Sequence, residues 1–120
     1  MVNRQEAINK VIVNDIDYVY EKFTDFGYDL AKELAKSAAQ RGSQDILSVL
    51  YQHYKFDDFD MEIMMARALD NLHISLATMI LKRTNVDIDC VEKHMKNKRA
   101  YMMFLKLIIK SMLHLWKEEK

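Results

Sequence analysis

The sequence predicts an all-α chain of stacked helix–turn–helix units, and three observations carry that prediction. The 120 residues contain no proline and only two glycines, Gly27 and Gly42, so helix breaks and tight β-turns are scarce. Apolar residues recur at helical spacing through nearly the whole chain. Two independent series of turn signals repeat with matching periods. Gly27-Tyr28-Asp29, Lys55-Phe56-Asp57 and Asn85-Val86-Asp87 lie 28 and 30 residues apart. Asn14-Asp15, Arg41-Gly42, Asn71-Leu72 and Asn97-Lys98 lie 27, 30 and 26 apart. The chain therefore reads as one domain, 1–120, of about four helix pairs, with repeats of about 4–27, 28–55, 56–85 and 86–117. A single hairpin cannot bury its apolar face, whereas stacked hairpins share a core. A compact eight-helix globule is the structural alternative.

In the first repeat Ala7, Ile8, Val11 and Ile12 mark a helix over 4–13, and Ile16, Val19, Tyr20 and Phe23 mark its partner over 16–25. Asn14 or Asp15 can cap that partner. In the second repeat Leu34, Ala35, Ala38 and Ala39 face inward, Gly42 turns the chain, and Ile46, Leu47, Val49, Leu50 and Tyr51 return. Alanines let two antiparallel helices lie close, and glycine adopts the positive φ that ends a helix. The third repeat places Ile63, Met64, Ala66, Ala68 and Leu69 on a helix from Met61, with Asp60 as its N-cap. Asp70-Asn71 turns it, and Ile74, Leu76, Ala77, Ile80 and Leu81 return. The fourth has a short helix, Cys90 to Lys96, a turn at Asn97-Lys98, and a long helix from about Arg99 to Lys117.

Ala38-Ala39-x-x-Gly42-x-x-x-Ile46-Leu47-x-Val49-Leu50 resembles the core of an ankyrin repeat. His73 stands where that family often has a histidine, and Gly27-Tyr28-Asp29 and Asn85-Val86-Asp87 stand where it has Gly-Ala-Asp. The resemblance implies an ankyrin-like solenoid. With no proline the Thr-Pro-Leu-His opening is missing, so β-hairpin fingers are expected to be reduced or absent. It also implies a protein partner, bound through the concave face of the first helices and through the loops Phe26–Asp29, Lys55–Asp60 and Thr84–Asp89. Tyr28, Phe56, Asp57, Asp58, Phe59 and Asn85 are then partner-binding candidates, with Phe56 and Phe59 as exposed anchors. Degenerate, proline-poor repeats of this kind look similar to those encoded by large DNA viruses, which implies a modulator of host signalling.

Half the residues are hydrophobic and 30% are charged, which argues against a disordered chain. The one cysteine, Cys90, cannot form an internal disulfide, and the start, Asn3 to Glu6, is too polar for a signal peptide. The longest apolar run, Ala100 to Leu105, falls far short of the ~20 residues of a membrane span. The expected setting is intracellular and cytoplasmic (the host cytoplasm, if viral), with no membrane. Residues 1–62 hold 7 Lys/Arg against 12 Asp/Glu, and residues 63–120 hold 11 against 6. That asymmetry can steer a polar partner or favour head-to-tail association, although solvated surfaces also drift in charge.

Chemistry is harder to find. His53, His73, His94 and His114 fall 20, 21 and 20 residues apart, whereas paired metal ligands usually sit three to five apart on one helix. Cys90 and His94 form an i,i+4 pair, but no orienting acid or oxyanion device accompanies them. Asp57, Asp58, Asp60 and Glu62 lack the glycine and distal glutamate of a calcium loop. Neither glycine lies in a phosphate cradle. The sequence therefore assigns no catalytic residue, no cofactor and no metal, and the expected activity is non-enzymatic.

Two further segments stand out. Lys93, Lys96, Lys98 and Arg99 form a basic helix junction, a candidate for partner or phosphate contact. Nucleic-acid binding is the lesser alternative, because the following helix is too apolar to lie in a groove. On that helix Lys106, Lys110, His114 and Lys117 make one narrow polar stripe, and nearly everything else is apolar. Met103, Leu107 and Trp116 are candidates for self-association, and a homodimeric or larger structural assembly is the main alternative function.

Overall fold

The computed structural model describes residues 2–84 and 86–118, with side chains through residue 108 and at 110. Among the described residues there are eight α-helices and no strand. They are α1 (Arg4–Ile12), α2 (Ile16–Lys22), α3 (Tyr28–Arg41), α4 (Gln44–His53), α5 (Asp58–Asp70), α6 (Ile74–Arg83), α7 (Ile88–Lys93) and α8 (Lys98–Glu118), with a 3-10 turn at Phe23–Asp25 after α2. The odd helices lie side by side in chain order, α1 on α3, α3 on α5 and α5 on α7. Helices α1, α3 and α5 each pack on the helix that follows, and α2 packs on α4. Between α4 and α6 the Tyr51 hydroxyl donates to the Arg83 carbonyl at 2.9 Å. Ala31, Ala35, Ala38 and Ala39 of α3 and Ala66 and Ala68 of α5 are all buried, so small side chains set the close approach of the middle helices.

The first three pairs close on one and the same turn. In each, a residue with positive φ follows the first helix: Asn14 at 59°, Gly42 at 76° and Leu72 at 63°, spaced 28 and 30 residues apart. Its amide donates three residues back and the next amide donates five back. The long bonds are Asp15 to Lys10 at 2.8 Å, Ser43 to Ala38 at 2.9 Å and His73 to Ala68 at 2.9 Å. This is the Schellman pattern, which satisfies the last carbonyls of a helix. The three turns therefore align on Asn14, Gly42 and Leu72, in the last two cases one residue later than Arg41 and Asn71. The fourth turn departs from it. Helix α7 runs from Ile88, not Cys90, and ends at Lys93. Residues 94–97 form the link, and Asn97 caps α8, its side chain accepting from the Ala100 amide at 3.1 Å.

A leucine in the left-handed region costs roughly 1 kcal/mol relative to glycine. Leu72 is 55% exposed, so little burial is lost on removing it. Leu72→Gly is expected to stabilise the protein by about 0.5–1 kcal/mol, read from urea unfolding; destabilisation would mean that Leu72 packs on its surroundings.

The starts of the first helices carry a second repeat. Gly27, Asp57 and Asp87 precede α3, α5 and α7 at intervals of 30 residues. Asp57 caps α5, accepting from the Asp60 amide at 2.8 Å, and Asp87 caps α7. The expectation that Asp60 is the cap and that its helix begins at Met61 is corrected by one turn. Asp60 lies inside α5 with 4% of its surface exposed. Helix α2 likewise stops at Lys22, and residues to Asp25 tighten into the 3-10 turn.

Helix α8 makes its principal contact with α5. Ala100, Tyr101 and Phe104 are buried there, while Met102, Met103 and Leu107 are 52%, 50% and 47% exposed. Lys106 and Lys110 of the polar stripe are exposed as well, while His114 and Lys117 lie outside the described side chains.

Candidate protein-interaction surface

The face formed by the odd helices is crossed by contacts between polar and charged side chains at each helix junction. Arg4 of α1 pairs with Glu33 of α3. Lys36 of α3 reaches Asp60 of α5 at 3.0 Å, with Lys32 at 4.0 Å. His94, just after α7, lies 3.7 Å from Glu62 of α5. The exposed pairs add little stability, but Asp60 is a buried carboxylate that needs its ammonium partners.

Along the C-terminal halves of the same helices runs a groove. One cavity of about 850 Å³ is lined by Ile63, Arg67 and Asp70 of α5 and by His94, Lys96 and Asn97 beyond α7. A second, of about 290 Å³, is lined by Ile8 and Ile12 of α1 and by Glu33, Ser37 and Arg41 of α3. Gln40 and Arg67 line both, so the two cavities adjoin across these side chains, between α1 and the α7–α8 link. The Asp70 carboxylate accepts from the Lys96 amide at 2.9 Å and the Asn97 amide at 2.8 Å, which pins that link to the end of α5. Three isoleucines and a cationic, amide-rich lining give this groove the means to hold a polypeptide segment. Ile63, Arg67 and Asp70 sit at i, i+4 and i+7 on α5, a stripe readable in the sequence that core-directed reasoning passed over.

The opposite ends of the odd helices carry the loop candidates. Phe56 is 7% exposed and is not a surface anchor. Its ring lies 6.0 Å from Tyr28 and 6.4 Å from Tyr54. The chain of rings continues through His53 to Phe23, and the Tyr54 hydroxyl donates to the Phe23 carbonyl at 2.6 Å. Phe56 therefore holds the loops together. Phe59, 59% exposed on the first turn of α5, packs edge-on against His94 at 5.3 Å. Tyr28 is 40% exposed, and Asp57 and Asp58 are exposed beside it in sequence. Lys93, Lys96, Lys98 and Arg99 are all exposed around the α7–α8 link, with the Lys98 ammonium donating to the Glu92 carbonyl at 2.7 Å. Asn85 and the Trp116 side chain lie outside the described residues.

His73 packs its ring over Gly42 and contacts the Gln40 carbonyl through Nε2 at 3.1 Å, so it ties the third turn to the second. Among the described residues no group of three or more His, Cys, Asp or Glu could hold a metal ion. Burial pushes the Cys90 thiol above its ordinary range, and the negative charges of Asp87 and Glu62 push it the same way against Lys93. A raised pKa leaves less thiolate at neutral pH. Alkylation of Cys90 by iodoacetamide at neutral pH is therefore expected to be slower than that of glutathione, and faster in Asp87→Asn, which keeps a capping side chain. Alkylation faster than glutathione would show an activated thiol.

Comparison with family models, with characterised proteins and with solved structures finds no match to this chain. Among the described residues no helix is long and apolar enough to cross a membrane.

Proposed function

We propose that this chain is a non-enzymatic protein-interaction module, an ankyrin-like stack of helix pairs that holds a protein partner against the face of its first helices. The observation that carries this reading is the pair of adjoining cavities that run from Ile8 and Ile12 to Lys96 and Asn97, framed by the inter-helix ion pairs Arg4–Glu33 and Lys36–Asp60. The identical turns at Asn14, Gly42 and Leu72 support the repeat architecture. The exposed Phe59 extends the surface toward the loop end. An intracellular setting and a role in blunting host signalling go with the ankyrin-like reading.

Affinity capture from the producing cells tests it, comparing the wild type with Ile63→Asp in the groove and Ser75→Glu on α6. The expected result is a protein retained by the wild type and by Ser75→Glu and lost with Ile63→Asp, at unchanged helical signal. Equal retention by all three contradicts the groove.

A second reading rests on α8. Met102, Met103 and Leu107 are each about half exposed on one helix, which favours self-assembly. Sedimentation across concentrations separates the two, since a strict monomer rejects assembly.

A further inference from the structure

We infer that the groove on the odd helices takes an acidic, partly apolar peptide segment of the partner; this rests on the interaction reading above. Its charges are unequally committed. The two carboxylates in the lining are already engaged, Glu33 by Arg4 and Asp70 by the amides of Lys96 and Asn97. The three cations in the lining, Arg41, Arg67 and Lys96, form no ion pair among the described residues, and all three are exposed. Amide hydrogen bonds leave the Asp70 charge in place, and a ligand therefore meets a net excess of positive charge, rather than a bare one, in both cavities. Ile8 and Ile12 share one cavity with Arg41 and Arg67, and Ile63 shares the other with Arg67 and Lys96, so the complementary segment combines carboxylates with aliphatic side chains. Acidic groups on the ligand add long-range attraction and fix its register, while the aliphatic groups supply contact area.

Fluorescence anisotropy tests this with a labelled peptide of alternating Glu and Leu pairs, and with its Gln-for-Glu and Lys-for-Glu counterparts. The expected result is that the acidic peptide binds best and weakens as salt rises. Arg67→Gln/Lys96→Gln, or Arg41→Gln/Lys96→Gln if the first variant melts early, is expected to weaken it roughly tenfold. Lys106→Gln/Lys110→Gln on α8 is expected to leave it unchanged. Equal binding of the neutral peptide, lost with Ile63→Asp, keeps the groove and overturns the acidic ligand. Loss of binding in the α8 variant alone overturns it as well, by moving the contact elsewhere. No binding of any peptide overturns both the ligand class and the groove as a peptide site.

Discussion

Gly42→Ala is expected to destabilise the protein by about 2–3 kcal/mol, roughly 10 °C in Tm. Two costs add. The residue has φ of +76°, where an L side chain pays about 1–2 kcal/mol. An added Cβ would also stand 2.6 Å from His73 Nδ1 and 2.9 Å from His73 Cγ, inside any real contact. The ring must leave, and its contact with the Gln40 carbonyl goes with it. The double variant Gly42→Ala/His73→Ala should therefore be more stable than the sum of its single changes. Strict additivity in thermal melts would show that the ring yields freely.

Phe104→Ala is expected to cost about 3–5 kcal/mol, since Phe104 is 1% exposed and, with Ala100 and Tyr101, is one of three buried residues among the described side chains of α8. Met103→Ala at the preceding position is expected to change stability by less than about 0.5 kcal/mol, because that side chain is half exposed. Urea unfolding of the two variants compares them within one helix. Equal losses would mean that α8 lies differently on α5 than its burial pattern indicates.

Helix content, the order of the pairs and the Gly42 turn were legible because each rests on local chemistry: apolar periodicity, small residues and a glycine with positive φ. The register of the repeat was less so. Arg41-Gly42 and Asn71-Leu72 are in register with each other, and the slip lies in the first turn, where Asn14 rather than Asp15 takes the positive φ that Gly42 and Leu72 take. Asp60 was misread because a carboxylate before an apolar run looks like a cap. Asp57 already satisfies the α5 amides, and the partners that bury Asp60, Lys36 and Lys32, lie on another helix. Phe56 follows the same rule, since only the fold brings Tyr28 and Tyr54 to its ring. The groove needs three helices and the α7–α8 link at once, so the stripe on α5 does not announce it by itself.

The most direct test places a photo-crosslinking amino acid at Ile63 in the groove, at Ser75 on α6 and at Leu107 on α8, each in separate proteins exposed to the producing cell's extract. The expected result is a discrete adduct with a second protein from Ile63 and none from Ser75. Adducts only between copies of the chain, formed through Leu107, would contradict the interaction module and establish self-assembly in its place.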